Sequence, residues 1–305
     1  MKISDELKGV LLAFVSVIAV SNVYIFSKAA LQEVSMPQFG VYWFAIGLSW
    51  IFLYGCTQKT YRSITEFARS NLGILVFLGI IEVAGTYFFF KAIHTIPNPA
   101  VTSFIGNISP VFVITLSFFL LRERFNRKEF AGMLLAITGA FIISYKGDTS
   151  FRDMFIDGTQ YVVYYSIFAG VSAVIIKKNI RNINPIILTT NRSFFLLVFS
   201  IIALVSSEES MLIGYKPLLN IFIGASLGPF LTVIAGYLAL QYITLSKKAI
   251  ISSTKGLFVL FGAYLYFGQF PDTITIIGGI ITILGLLLIA FGKRKNPKSK
   301  EISNH

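Results

Sequence analysis

The sequence predicts an all-α integral membrane protein with ten transmembrane helices, arranged as two inverted five-helix repeats with both termini in the cytoplasm. Three observations predict this fold. Of the 305 residues, 55% are hydrophobic and 13% are charged, a mixture that does not form a water-soluble domain. The apolar residues gather in stretches of about 17 to 24 residues, which cross roughly 30 Å of hydrocarbon at about 1.5 Å per residue. The second half of the chain also repeats the spacing of the first.

Ten apolar stretches follow one another along the chain, separated by short breaks that carry charges, Pro or Asn. Lipid offers the backbone no hydrogen-bond partner, and the stretches are too long for barrel strands, so each is predicted to be a helix. The first is taken as a membrane helix rather than a cleaved signal peptide, because the residues after it run directly toward the second. In chain order the predicted spans are 8–28, 38–56, 72–92, 99–120, 129–146, 158–178, 186–206, 217–240, 247–267 and 273–292.

The basic residues predict the orientation. Placing the N-terminus in the cytoplasm puts 19 of the 26 Lys and Arg residues on that side and five on the other, with Arg192 and Lys255 inside spans. Because cytoplasmic loops carry the excess of Lys and Arg, both termini are predicted to be cytoplasmic. These short basic loops lack the interleaved aromatics of a nucleic-acid site, so the formal net charge of +12 does not indicate a nucleic-acid partner.

The two halves of the chain correspond at a nearly constant spacing. The segment LLRERFNRKEFAGMLLAITGAF aligns with YFGQFPDTITIIGGIITILGLL at an offset of 146, which pairs Gly132 with Gly278 and Gly139 with Gly285. Because five is an odd number of crossings, the second copy must run upside down relative to the first. The predicted units are a first repeat, 1–147, a second repeat, 148–292, and a basic cytoplasmic tail, 293–305.

Charged residues inside the spans are the leading candidates for a site. Glu82 is the one carboxylate of the 14 that lies near the middle of a span, and Lys255 lies about 12 Å deep. Charges are costly in lipid, so both are predicted to face the bundle interior or a water-filled cavity. They line a substrate cavity or form a structural ion pair that locks two helices. Arg192 lies nearer to a helix end and is expected to snorkel to the interface or to cap carbonyls.

Other polar and aromatic residues share the level of these charges. Asn107 precedes Pro110 by three residues, at a point where a proline frees a backbone carbonyl. The residues predicted to bind substrate are Lys255, Glu82, Asn107, Asn22, Tyr24, Trp43, Tyr87, Ser252 and Ser253. At each aromatic position, packing is the alternative role. The glycines that recur every seven residues form smooth helix faces for close packing within the bundle or at a homodimer contact.

The sequence lacks the residues that several other classes of protein need for their function. The chain contains no GxxxxGK[ST] sequence, so ATP hydrolysis is not expected. Its two histidines are His94 and His305, and Glu82 has no acidic partner in its span, so an enzyme is not expected. The lone cysteine, Cys56, excludes an intramolecular disulfide and a CxxC metal site. No metal or cofactor is predicted.

Three segments resemble a known family. The run KAIHTIPNPAVTSFIGNISPVFVITLSFFLLRERFNRKEFAGMLLAITGAF resembles the fourth and fifth helices of EamA-type transporters of the drug/metabolite transporter superfamily. The segments NPIILTTNRSFFL and SNVYIFSKAAL are similar to the seventh and first helices of that family. The resemblance covers about residues 8–292 and depends on the ten-helix arrangement together with several spaced motifs.

The resemblance implies a secondary transporter, expected to be an exporter, of a small metabolite, amino acid or amphipathic drug. Such a protein works by alternating access through a central cavity, and its expected place is the bacterial inner membrane. Its expected partners are the small-molecule substrate and the lipid bilayer. Lys28 and Lys91, near the predicted outer mouth, together with Lys255 favour a substrate that bears an anionic group. The alternative is a helical membrane scaffold or sensor that transports nothing.

Overall fold

The structure is a computed structural model that describes residues 4–60, 64–121, 127–145, 155–180 and 183–292, so the predicted tail lies outside the described residues. This part of the chain is helical apart from short connections and one isolated antiparallel bridge between Tyr145 and Phe155. The helices are α1 (Asp5–Leu31), α2 (Met36–Thr57), α3 (Ile64–Thr95), α4 (Pro99–Ile105), α5 (Ser109–Leu121), α6 (Arg127–Ser144), α7 (Thr159–Asn179), α8 (Pro185–Ser206), α9 (Tyr215–Ala225), α10 (Val233–Tyr242), α11 (Leu245–Ser253), α12 (Lys255–Phe267) and α13 (Thr273–Gly292).

The described helices have the length and composition of membrane spans. Eight helical stretches are long and apolar enough to cross a membrane, and two shorter apolar helices, Phe130–Ser144 and Thr273–Leu288, accompany them. Large apolar side chains lie on the outside of the bundle, such as Val205, which is 72% exposed. Hydrocarbon tolerates such a surface and water does not. The predicted all-helical membrane protein is therefore confirmed, while the inverted order of the repeats and the side of the termini stay predictions.

The starts of several helices follow from the local sequence. Asn98 before α4 and Asn184 before α8 each accept a backbone hydrogen bond from the residue two positions later, at 2.8 Å. A proline follows each asparagine, where its missing N–H costs no helical hydrogen bond. At the start of α2, Ser35 and Gln38 bond each other's backbone in a capping box. These caps fix where the crossings begin, and therefore which residues lie at mid-span.

Three crossings are interrupted near their middles. Between α4 and α5, a 3-10 turn precedes Pro110, which has no N–H to donate to the Gly106 carbonyl. Between α9 and α10, the chain forms a π-helical segment, Ser226–Thr232, that contains a proline. The helices α11 and α12 meet at Thr254. Irregular backbone at membrane depth is tolerated where it borders protein or a cavity, so these breaks mark the centre of the bundle as the place for a site.

The bundle is organised around α1. This helix packs against α9, α10, α11 and α12, while α7 packs against α3 and α5, α2 against α8, and α6 against α13. The backbones of α6 and α13 touch, since a Cβ atom added to Gly139 would lie 2.6 Å from the Gly278 carbonyl oxygen. The glycine faces read from the sequence are thus used for close packing within one chain. The homodimer stays a prediction without support from these glycines.

Candidate functional site

Two adjoining chambers lie inside the bundle. One, the aromatic chamber, has a volume of about 230 Å³ and is walled mainly by apolar and aromatic side chains. The other, the basic chamber, has a volume of about 340 Å³, and Lys248 and Lys255 are among its lining residues. Both chambers are lined by Glu82, Ala169, Ser172, Arg192, Thr232 and Val233. We call these shared residues the waist, because they belong to the walls of both chambers.

A carboxylate and a guanidinium group pair at the waist. Arg192 Nε of α8 donates a hydrogen bond to Glu82 Oε2 of α3 at 2.7 Å, and Ser172 of α7 donates to the other carboxylate oxygen. Arg192 Nη2 also donates to Thr86 Oγ1 at 2.8 Å. The Arg192 and Glu82 side chains are 18% and 15% exposed. Hydrogen bonds to both carboxylate oxygens are what a poorly solvated ion pair needs to remain charged.

This pair corrects one expectation from the sequence and rules out one of the alternatives that the sequence left open. Arg192 does not snorkel to the interface or cap carbonyls, because α8 packs against α3 where Glu82 offers an acceptor. The structural ion pair between Glu82 and Lys255 is not formed either, since the cationic partner of Glu82 is Arg192.

Lys255 lies where two interrupted crossings meet. Its Nζ is 3.4 Å from the Gly106 carbonyl oxygen and 3.3 Å from Asn107 Oδ1. Pro110 cannot donate to that same carbonyl, which accepts from the Ser109 N–H instead and is also the oxygen that Lys255 approaches. Asn107 is fully buried, and its Nδ2 has no hydrogen-bond partner in the described structure. Lys255 itself belongs to the wall of the basic chamber.

Lys248 is a chamber residue that sequence reasoning missed, because it was counted with Lys247 at the cytoplasmic end of the span 247–267. In the structure its side chain lies in the wall of the basic chamber. A Cβ atom added to Gly236 would lie 3.0 Å from Lys248 Nζ and 3.1 Å from Ser16 Oγ, so the ammonium group is folded against the interior of the bundle. Lys248, Ser252 and Lys255 recur at i, i+4 and i+7, the spacing of one helix face. That spacing is the signal in the sequence that could have found Lys248.

Trp43 and several phenylalanines form the wall of the aromatic chamber. Trp43 is 1% exposed and meets Phe90 edge-on, with 5.5 Å between ring centroids. Gly228 of the π-helical segment gives the indole its space, since a Cβ atom there would lie 2.9 Å from Trp43. The other wall aromatics are Phe44, Phe89, Phe90, Tyr165 and Phe168. This wall suits an apolar, ring-sized group.

The remaining predicted site residues do not line either chamber: Asn107, Asn22, Tyr24, Tyr87 and Ser253. Asn22 and Ser253 instead donate to backbone carbonyls of their own helices, at 2.9 and 2.6 Å. Tyr24 is buried and packs edge-on against Phe89, with 5.1 Å between ring centroids. Tyr24 thus supports a wall residue of the aromatic chamber from behind. Glu82, Lys255, Trp43 and Ser252 are the predicted residues that the structure brings together around the chambers.

The two lysines expected near the outer mouth are engaged elsewhere. Lys91 Nζ lies 3.2 Å from the Tyr87 hydroxyl oxygen and stands 5.4 and 5.0 Å from the ring centroids of Tyr87 and Tyr161. Lys28 is 5% exposed, and its Nζ donates to three carbonyls at the C-terminal end of α3 at 2.8 to 2.9 Å. Neither side chain lines a chamber.

We expect Lys28→Met to lower the stability of the fold and to leave ligand selectivity unchanged. A hydrogen bond to a charged group is worth about 1.5 to 3 kcal/mol, so losing three should cost on the order of 3 kcal/mol after relaxation. Lys91→Met is the matched control, because it removes a cation–π contact worth about 0.5 to 1 kcal/mol. Thermal unfolding of the purified variants in detergent measures both. Equal melting temperatures would contradict a structural role for Lys28.

The fold and the site together define a class of protein. It is a multi-pass helical membrane protein whose helices line two ligand-sized chambers with a charged pair in their shared wall. In the described residues, no group of three His, Cys, Asp or Glu side chains could hold a metal ion. The sequence matches the EamA-like transporter family over residues 7–145 and 158–291. The chain therefore belongs to the EamA-like transporter family.

Curated relatives carry similar names. An uncharacterized transporter of Synechocystis, sll1164, is 24% identical over 65% of this chain and 60% of its own length. YhbE, an uncharacterized inner membrane transporter of Escherichia coli, is 25% identical over 54% of this chain and 50% of its own. An uncharacterized transporter of Archaeoglobus fulgidus is 28% identical over 37% of this chain and 40% of its own. The matched region thus spans 40 to 60% of these relatives.

A solved crystal structure has the same fold. It superposes with a TM-score of 0.71 over 93% of this chain and 96% of the other, at 16% sequence identity. At that identity the likeness concerns the fold alone.

Proposed function

We propose that the protein is a secondary transporter that carries a small metabolite, amino acid or amphipathic drug through the central cavity by alternating access. We further propose that it exports this substrate across the bacterial inner membrane. The observation that carries the proposal is the Glu82–Arg192 pair, which lines a chamber on either side. A pair that only locked two helices together would need no cavity beside it. Placed at the waist, it can interact with a molecule that passes between the chambers.

Alternating access needs two halves that can exchange roles. If the first five predicted crossings are exchanged for the last five, α1 corresponds to α7, α9 and α10 correspond to α3, and α11 and α12 correspond to α4 and α5. The packing of α1 on α9 to α12 then corresponds to the packing of α7 on α3 to α5. The same exchange swaps α2 with α8 and α6 with α13, so the contacts within these two pairs are unchanged. Lys28 of α1 caps the end of α3, and Lys177 of α7 likewise donates to two carbonyls at the end of α10, at 2.6 and 2.8 Å. These correspondences support two inverted repeats, 1–147 and 148–292.

The experiment that tests the proposal is flux after Lys255→Met. Vesicles containing the purified protein are loaded with a labelled mixture of amino acids and aromatic carboxylates, and release is followed with and without ion gradients. A transporter that uses Lys255 loses most of its flux while its folded yield is unchanged. Lys247→Met is the matched control, because the adjacent Lys247 pairs with Glu6 at an exposed helix end. If Lys255→Met lowered the folded yield and the wild-type vesicles showed no flux, the result would instead favour the scaffold or sensor.

A further inference from the structure

The basic chamber carries an excess of positive charge. Its charged lining residues are Lys248, Lys255, Arg192 and Glu82. Arg192 is paired with Glu82 at 2.7 Å. Neither Lys248 nor Lys255 has a carboxylate within salt-bridge distance among the residues that the structure describes. Two ammonium groups therefore face the chamber without an anionic partner in contact.

The contacts of Lys255 differ from those of a purely structural lysine in the same bundle. Lys28 satisfies its ammonium group with three carbonyls at 2.8 to 2.9 Å. Lys255 has two uncharged acceptors at 3.3 and 3.4 Å, close to the limit of a hydrogen bond. An ammonium group has three donors, so Lys255 retains the capacity to bind an acceptor inside the chamber.

Lys248 is held inward in a similar way. Its ammonium group lies beside Gly236, where a side chain would collide with it, and it is attracted by Glu82 across the chamber. Glu82 is already bonded by Arg192 and Ser172, so it does not neutralise Lys248. Lys255 is buried and Lys248 is half-buried. Holding both ammonium groups there without an anion in contact is costly, and a bound anion would offset that cost.

Other polar groups share the wall of the basic chamber with the two lysines. Lys248 of α11 and Lys255 of α12 lie on either side of the break at Thr254, and both line the basic chamber. The hydroxyl groups of Ser16, Ser109 and Ser252 belong to the same wall. Beyond the waist, the aromatic chamber of about 230 Å³ exceeds the roughly 150 Å³ of an apolar cavity that accepts benzene.

We propose that the substrate is an amphipathic organic anion, whose carboxylate or phosphate binds Lys248 and Lys255 in the basic chamber and whose ring-sized apolar body occupies the aromatic chamber. The inference rests on the proposed transport function and names its substrate class. A cation or the ammonium group of a zwitterion would meet two positive charges and no free carboxylate. A neutral ligand would leave both lysines without an anion.

Binding of matched probes to the purified wild-type protein tests the proposal. The probes are 3-phenylpropanoate, its neutral analogue 3-phenylpropanamide, the cation phenethylamine, the zwitterion phenylalanine, and phenyl phosphate. Isothermal titration and thermal unfolding in detergent report the binding. We expect 3-phenylpropanoate, phenyl phosphate or both to bind at least tenfold more tightly than the amide, and which of the two binds better identifies the head group. Equal or tighter binding of the amide, the amine or the zwitterion overturns the proposal.

Lysine variants locate the anion. Lys248→Met and Lys255→Met should each lose the preference for the propanoate over the amide, whereas Lys247→Met should keep it. If the chamber variants fail to fold, the wild-type comparison alone decides. Flux separates this inference from the proposed function. Preferential binding of the propanoate without its flux in vesicles would contradict transport and leave the anion site in place. Flux of other solutes, unaffected by saturating propanoate, would leave transport in place and overturn the substrate class.

Discussion

Arg192→Gln is expected to destabilise the protein strongly and to abolish transport. The change leaves the Glu82 carboxylate, which is 15% exposed, with Ser172 as its remaining donor at the waist. Removing one partner of a buried ion pair costs about 3 to 5 kcal/mol. We expect the lower end of that range, because the chambers give water access to the pair. The melting temperature in detergent measures the stability, and flux per folded molecule in vesicles measures the transport.

The double variant Glu82→Gln with Arg192→Gln is the control for this prediction. It removes both charges, so it should recover most of the stability that the single change loses, because no uncompensated charge remains. It should not recover flux if the pair interacts with the passing substrate. A double variant no more stable than Arg192→Gln would contradict the pairing, and a double variant with normal flux would make the pair purely structural.

The fold could be predicted from sequence because the bilayer allows few solutions. Unsatisfied backbone groups are so costly in hydrocarbon that ten apolar stretches must become helices, whatever their helix propensities. The local effect of Pro110 could also be predicted, since its missing N–H removes the helical donor to the Gly106 carbonyl. That oxygen accepts from the Ser109 N–H instead, and Lys255 approaches it as well. The π-helical form of Ser226–Thr232 could not be predicted from the sequence. A proline in a membrane helix can be accommodated by a kink, a 3-10 turn or a π segment, and the packing of neighbouring helices selects among them.

The site was harder to predict because it depends on which helix faces meet. The cost of a charge in lipid placed Glu82 and Lys255 in the interior, but it carries no information about partners. Arg192 is 110 residues from Glu82, and their contact exists because α8 crosses α3 at that level. Counting residues from a helix end gives the depth of a side chain in the membrane, but it does not show toward which neighbouring helix the side chain points.

The same limit explains why Lys248 was counted with Lys247 at the cytoplasmic end of its span. Lys247 and Lys248 are adjacent and read as one basic pair at a helix end. Successive residues of a helix point about 100° apart, however. Lys247 therefore reaches Glu6 at the exposed end, while Lys248 turns into the chamber. Only the i, i+4, i+7 pattern that Lys248 shares with Ser252 and Lys255 distinguishes the two residues in the sequence.

Gly285→Ala is expected to have a large effect at the contact between α6 and α13. A Cβ atom on Gly285 would lie 2.5 Å from the Ala136 nitrogen and 2.6 Å from the Gly132 carbonyl oxygen. Both are backbone atoms of the facing helix, which cannot rotate away as a side chain would. The two helices must therefore separate and lose contacts along their length. Overpacking costs about 1 to 3 kcal/mol, and we expect the upper end, measured as a lower melting temperature in detergent.

Gly73→Ala is the matched control, because the chemical change is identical and the surroundings differ. Gly73 lies in α3, where an added Cβ atom meets nothing within 4 Å. Alanine there relieves the backbone entropy cost of glycine, so stability should rise by about 0.5 to 1 kcal/mol. Gly139→Ala should follow Gly285→Ala, because its Cβ atom meets the same contact from the opposite helix. If all three variants were stabilised alike, α6 and α13 could not be in backbone contact, and their close packing would be refuted.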